Sequence, residues 1–198
     1  VSSITFADAA LKNGETSLVT ITFSEAVTAF ANADLTIVNG AMTGVSSADN
    51  GVTWTSTYTP TADIEDDTNV LIVANSYTDS AGNAAASGLT SGNYEIDTLK
   101  PTVTSIAVTG VTSGQYGTAA TYQVIVTASE ALEDAPSLSL AGGSITTAGA
   151  GSSSDTVWTY TFTPTDNDEA VTIDVAIGAI TDAAGNDNTA AATQFAFT

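Results

Sequence analysis

Short runs of alternating apolar and polar residues, separated by turn residues, cover most of the chain. In the first half these runs lie near residues 1–6, 17–23, 35–38, 42–46, 52–59, 70–76 and 93–97. A period of two is typical of strands that bury one face, and no stretch shows the longer period of a helix. Seven short strands in about 100 residues predict an all-β fold, an antiparallel β-sandwich of the immunoglobulin kind. Trp54 and Trp158 alternate in phase with Tyr58 and Phe162, so both are expected to face a core.

The connection between the third and fourth predicted strands contains Asn39-Gly40. This dipeptide favours a two-residue hairpin turn, because both of its residues readily adopt positive φ. The second half has no such dipeptide at the matching place, and its run AGGSITTAGAGSSS predicts a looser connection there.

Three landmarks occur twice in the same order. Residues 52–63 (VTWTSTYTPTAD) return at 156–167 (TVWTYTFTPTDN), ITFSEAV returns as VTASEAL, and YTDSAGN returns as ITDAAGN. The offsets are 104 (Trp54 to Trp158), 105 (Glu25 to Glu130) and 103 (Asp79 to Asp182). Self-similarity at this length indicates two copies of a complete domain. We therefore predict domains at residues 1–98 and 99–198, two seven-stranded sandwiches joined end to end, with Pro101 stiffening the connector.

The charge of the chain limits the ligands and partners that it can bind. Two Lys and no Arg face 22 Asp and Glu in 198 residues, for a formal net charge of −20, and the chain has no His or Cys. Such a charge repels nucleic acid and anionic membranes and opposes self-association, so we expect a monomer without these partners. No apolar run is long enough to span a bilayer. The remaining ligand chemistry is that of carboxylates, which bind hard cations, and no catalytic constellation is evident.

The sequence also resembles a known family. The order VTITFSEAV, DLTIVNG, TWTSTYTPTAD, YTDSAGN, YEIDT and a following Pro is similar to the bacterial Ig-like repeats of giant RTX-type adhesins. The resemblance covers essentially the whole chain, although Ala128 replaces Phe23 in the second copy and Lys100 stands where these repeats usually carry an uncharged residue. It implies type I secretion, a place on the bacterial cell surface or in a biofilm, and a role as an extender arm with calcium at the joints between repeats.

Strand order leads to calcium independently of this resemblance. In an Ig-like sandwich the loops after the second and sixth strands share the rim where the first strand enters. Glu25 and Asp79 follow those strands in the first copy, and Glu130 and Asp182 do so in the second, next to Asp97 of the connector. Carboxylates about 5 Å apart repel by roughly 3 kcal/mol per pair at an effective dielectric of 20. A divalent cation removes that cost, and Ca²⁺ tolerates looser oxygen geometry than Mg²⁺.

A second acidic run, TADIEDDTNV, is predicted as the loop between the fifth and sixth strands, near Asp97. Its counterpart in the second copy carries Asp166, Asp168 and Glu169. These acids could complete the joint site, hold another ion, or form a solvated turn. The candidate calcium ligands are Asp97, Glu130, Asp182, Glu25, Asp79, Asp63, Glu65 and Asp66.

We therefore expect a non-enzymatic, calcium-rigidified pair of extender modules, whose partners are neighbouring repeats of the same chain. Two other functions stay open. A ligand-binding adhesin module would need an exposed aromatic patch, and an accessory pair of a secreted enzyme would need a catalytic domain beside it. Alternating threonines could suggest binding to ice, but they are ordinary in strands. Paired acids could suggest a glycosidase, but that chemistry needs a cleft with a set carboxylate separation.

Overall fold

The computed structural model describes residues 1–115, 117, 119–151, 155–165 and 170–198. The chain divides into two compact units, Val1–Leu99 and Lys100–Thr198. Each unit has its own cluster of buried hydrophobic residues. The all-β fold predicted from the alternation is confirmed, and each unit is an Ig-like β-sandwich.

The first unit consists of short strands and one 3₁₀ helix, Asn32–Asp34. Its strands are β1 (Ser3–Phe6), β2 (Ala10–Lys12), β3 (Ser17–Thr22), β4 (Val27–Thr28), β5 (Leu35–Thr36), β6 (Gly40–Met42), β7 (Ser46–Ser47), β8 (Thr53–Pro60), β9 (Glu65–Asn69), β10 (Ile72–Val73), β11 (Thr78–Asp79), β12 (Leu89–Thr90) and β13 (Tyr94–Asp97).

These strands form one long sheet and several short ones. The long sheet has the order β1-β3-β8-β6, with β7 also paired to β8. The other face is built from β12-β10-β5 and β2-β13-β9, and the pair β11-β4 lies apart. Inward residues of both faces join in one core, in which the Tyr94 ring stacks on Phe6 with centroids 4.3 Å apart. The first unit has more strands than the seven predicted for each copy, because several predicted strands are interrupted and two-residue strands leave no periodic signal.

Asn39-Gly40 does not form the predicted hairpin. β5 before it and β6 after it belong to different sheets, so the dipeptide carries the chain across the sandwich. Asn39 does adopt positive φ, at 51°. Gly40 is required for a different reason: a Cβ placed on it would lie 2.4 Å from Cζ of Tyr58 and 2.6 Å from the carbonyl oxygen of Thr59.

Over its described residues, the second unit has fewer and longer strands than the first. They are β14 (Val103–Val108), β15 (Tyr122–Ala128), β16 (Leu138–Ala141), β17 (Gly143–Ala150), β18 (Val157–Pro164), β19 (Val171–Val175) and β20 (Phe195–Phe197). One sheet has the order β14-β15-β18-β17 and the other β16-β19-β20. The glycine-rich run was therefore wrongly predicted as a loose connection, since most of it forms the eight-residue strand β17.

Gly143 begins β17 as Gly40 begins β6, and it also faces an aromatic ring. A Cβ on Gly143 would lie 2.2 Å from Cζ of Phe162. Both copies thus use a glycine to let a core aromatic side chain pack against the backbone of the neighbouring strand. The alternating pattern does not reveal this feature, although the offset of 103 between the two glycines was a usable signal.

We expect Gly40→Ala and Gly143→Ala each to destabilise its own unit by about 1–3 kcal/mol, because the added methyl overpacks a close contact. Urea unfolding measures the loss. Gly44→Ala is the matched control, since a Cβ there meets nothing within 4 Å. Equal stability of the Gly40 and Gly44 variants would contradict the expected clash.

The two tryptophans differ in burial. Trp158 is buried, as predicted. Trp54 is only partly buried and packs edge-on against Phe30, with centroids 5.4 Å apart. Its Nε1–H donates to the carbonyl oxygen of Gly51 at 3.1 Å. The prediction that the tryptophans face a core is therefore confirmed for Trp158, whereas Trp54 is buried only in part.

Candidate metal centre

The loop after strand β11 holds Asp79 in a fixed position. Its Oδ1 accepts hydrogen bonds from the backbone N–H groups of Ala81 and Asn83, both at 2.8 Å, and its Oδ2 accepts from Asn83 Nδ2 at 2.7 Å. Gly82 supplies the positive φ, 90°, that closes the turn. These hydrogen bonds, above all from Asn83, hold the pKa of Asp79 below its ordinary value, so the group is a carboxylate at neutral pH.

The second copy repeats this loop. Asn186 donates to Asp182 through its backbone N–H at 2.8 Å and through Nδ2 at 2.9 Å, and Gly185 has a φ of 89°. Asp182 is only 1% exposed. Each carboxylate oxygen has two lone pairs, so an oxygen that accepts one of these hydrogen bonds retains a lone pair for a cation. The repeated sequence D-x-A-G-N thus encodes a pre-oriented carboxylate in each unit.

Glu25 and Asp79 share one cavity of the first unit. The cavity measures about 470 Å³, and its lining includes Val1, Tyr77 and Asn83 together with the two acids. The lining of this cavity is more polar than apolar. It therefore suits an ion or a small polar group held by carboxylates more than an apolar ligand.

Local hydrogen bonds also position Glu130 in the second unit. The preceding residue, Ser129, donates its backbone N–H to the Thr102 carbonyl at 2.8 Å and accepts the Thr102 N–H on its Oγ at 2.9 Å. An isolated bridge pairs Leu132 with Asp182. The loop that carries Ser129 and Glu130 and the D-x-A-G-N loop that carries Asp182 are therefore held side by side.

Asp97 is the last residue of β13, the central strand of the sheet β2-β13-β9. The next residue, Thr98, is 2% exposed and ties the end of this strand to the first unit. Its N–H donates to the Ile64 carbonyl at 2.7 Å, and its Oγ1 donates to the Thr61 carbonyl at 2.7 Å. No role for Thr98 was predicted from the sequence.

Three of the predicted ligands come together. Asp97, Glu130 and Asp182 each offer one carboxylate oxygen, and these three oxygens lie within 4.8 Å of one another. Asp97 and Glu130 are half-buried and Asp182 is buried. Oxygens this close suit a hard cation with several oxygen ligands, so these residues could hold calcium.

The acids Asp63, Glu65 and Asp66 were predicted to lie on a loop, and this placement was wrong for two of them. Glu65 and Asp66 belong to strand β9, which pairs with β13. Asp63 precedes the strand with a φ of 57° and is exposed. The counterparts Asp166, Asp168 and Glu169 lie outside the described residues.

Asp66 makes hydrogen bonds within the first unit. Its Oδ2 accepts from Asn39 Nδ2 at 2.8 Å, and its Oδ1 accepts from the Thr68 N–H at 2.9 Å. The bond from the Thr68 N–H is the main reason that the pKa of Asp66 lies below its ordinary value. These bonds connect β9 to the chain crossing at Asn39, so Asp66 has a structural role in the first unit.

We expect Asp66 to contribute to acid sensitivity. Because its pKa is lower in the folded state, its contribution is complete above the unfolded value of about 3.9 and is lost as the pH falls through the folded value. Asp66→Asn should therefore lower stability at neutral pH and flatten the loss of stability below about pH 4. Thermal unfolding from neutral to acid pH measures this, with the exposed Asp67→Asn as control. Parallel pH profiles for Asp66→Asn and the wild type would contradict the assignment.

The fold and the repeated D-x-A-G-N loops define a pair of Ig-like modules, and comparison with known families identifies their family. The family described as Bacterial Ig-like domain matches the chain twice, over residues 1–96 and 97–198. The chain therefore belongs to the bacterial Ig-like domain family. All three clustered acids fall within the second match. No relative was found among curated proteins. Within the described part of the chain, no helix has the length and apolar character needed to cross a membrane.

Proposed function

We propose that the two domains are calcium-rigidified extender modules of a secreted adhesin on a bacterial cell surface, where they project a distal binding domain. The observation that carries the proposal is the group of carboxylate oxygens from Asp97, Glu130 and Asp182. Membership of the Ig-like family supports an extracellular structural module. Secretion by a type I system, as in RTX adhesins, and a place in a biofilm belong to the same proposal.

Calcium acts in this proposal by changing the balance of forces around the connector. Without a cation, three carboxylates repel one another, and this repulsion favours conformations that separate them. A bound Ca²⁺ reverses the sign of the interaction, because it attracts all three oxygens at once. Asp97 is fixed to the first unit by its strand, and Glu130 and Asp182 are fixed to the second. The ion therefore restrains the two units through their own rigid elements.

The first copy carries the same pair of acids for its own ion. Glu25 and Asp79 occupy the positions of Glu130 and Asp182, and they line one cavity. In an arm of many repeats, each such pair would receive the equivalent of Asp97 from the repeat before it. The partners of this pair of domains are then neighbouring repeats of the same chain, and the isolated pair is a monomer.

Small-angle scattering in EDTA and in millimolar calcium tests the proposal. Calcium should increase the maximum dimension and narrow the distribution of conformations while the particle mass stays that of a monomer. The same scattering curve in both conditions, or a calcium-dependent dimer, would contradict it.

A further inference from the structure

Lys12 lies directly beside Asp97 in the first unit. It ends strand β2, which runs parallel to β13, and the register pairs Lys12 with Asp97. On its other side, Asp97 is paired with Glu65 of β9. Residues paired in register lie on the same face of a sheet, with their Cβ atoms about 5 Å apart. One lysine and two acids therefore lie across three adjacent strands.

Burial shows which face this is. Leu11 and Ile96, the residues that precede Lys12 and Asp97, are 2% and 1% exposed and belong to the core. Because side chains alternate along a strand, Lys12 and Asp97 lie on the outer face. Glu65 is exposed, whereas Lys12 and Asp97 are half-buried. The row thus places the lysine charge beside Asp97, and the two adjacent acids next to each other, on a face that ions can reach.

The position of Lys12 is notable because the chain has so few cations. Lys12 and Lys100 are its only basic residues, against 22 acids. Lys12 is paired with Asp97 across the sheet, and Lys100 follows Asp97 by three residues along the chain. Both cations are therefore close to Asp97, Lys12 through the sheet register and Lys100 along the chain.

We propose that Lys12 is the resident counter-cation of Asp97: it neutralises Asp97 and Glu65 in the metal-free protein and sets the calcium affinity of the cluster. This inference rests on the proposed calcium function. Ca²⁺ bound to Asp97 meets a positive charge on the neighbouring strand, so the lysine weakens binding. In the absence of calcium, the same lysine stabilises the first unit by relieving repulsion between two adjacent carboxylates. The opposite signs of these two effects distinguish a counter-cation from a residue that only packs.

Calcium titration calorimetry and melting curves in EDTA test the inference with two variants. Lys12→Met keeps most of the aliphatic stem and removes the charge, whereas Lys12→Arg keeps the charge. Lys12→Met should melt at a lower temperature than the wild type in EDTA but bind calcium about two- to five-fold more tightly at low ionic strength, the range expected of one charge pair at the surface. Lys12→Arg should match the wild type in both. The difference in affinity should shrink in about 1 M salt, where the screening length is about 3 Å.

The outcomes separate this inference from the proposed function. Equal calcium affinity of Lys12→Met and the wild type would overturn the inference and leave the calcium function standing. In that case lower stability of the variant would mean that Lys12 only protects the sheet edge. Calcium binding by Lys12→Met but not by the wild type would support the inference and overturn the calcium function of the natural chain. Absence of binding by both proteins would overturn both.

Discussion

Asp97→Ala should abolish the calcium-dependent lengthening of the two-domain chain in small-angle scattering. The wild type should become longer and less variable when calcium replaces EDTA, whereas the variant should give one broad distribution in both conditions. The reason is that Asp97 ends a strand, Thr98 is hydrogen-bonded within the first unit and Thr102 within the second, so the predicted connector 97–102 is reduced to residues 99–101. Pro101 restricts this short segment but cannot by itself fix the angle between two domains. Of the three clustered carboxylates, Asp97 is the one that belongs to the first unit.

The substitution should leave both sandwiches folded. Backbone pairing on both sides of β13 does not involve the carboxylate, and the hydrogen bonds of Thr98 keep the strand end in place. Glu95→Ala is the matched control, because it removes an exposed carboxylate from the same strand and the same face, outside the cluster. We expect Glu95→Ala to respond to calcium like the wild type. If calcium stiffens Asp97→Ala as fully as the wild type, Asp97 is not the ligand that the first unit gives to the ion. Glu65 then becomes the leading candidate.

The alternating pattern predicted the fold well where inward positions are apolar. Strands β3 and β8 follow it closely, since inward residues such as Val19, Ile21 and Tyr58 are fully buried. The pattern failed at β9, whose residues EDDTN contain no apolar side chain. Its inward residue Asn69 is 1% exposed, and its Nδ2 donates to the carbonyl oxygens of Asp66 and Tyr94. A strand that buries a hydrogen-bonded amide cannot be recognised from hydrophobic periodicity.

The candidate site could be predicted in part for a related reason. Up-and-down strand order is enough to bring Glu25 and Asp79 to one rim, and the structure places both in one cavity. The register of Lys12 beside Asp97 could not be predicted, because it depends on a parallel pairing between strands more than 80 residues apart. The pairing depends on how the chain crosses from the sheet of β1 to the sheet of β2. No local sequence pattern indicates that crossing.

Calcium should also raise the thermal stability of the second unit. An ion that binds the folded cluster and not the unfolded chain stabilises the folded state by mass action. Sites in extracellular modules have dissociation constants of about 10⁻⁴–10⁻³ M, and free calcium at about 100 times that value contributes roughly 2.7 kcal/mol per site. For a domain of this size, that corresponds to a rise in Tm of about 10 °C or more. Differential scanning calorimetry in EDTA and in excess calcium measures it.

Glu130→Gln should remove most of this increase. The substitution keeps the size of the side chain and one carbonyl oxygen but takes one negative charge from the cluster, so calcium binds more weakly while the metal-free protein loses a repulsion. Its Tm should therefore equal or exceed that of the wild type in EDTA and fall below it in calcium. Glu133→Gln, an exposed acid three residues further on, should behave like the wild type in both conditions. Magnesium at the same concentration should stabilise the wild type less, because its stricter octahedral geometry fits three fixed carboxylates poorly. Coincident melting curves of the wild type in EDTA and in excess calcium would end the calcium assignment.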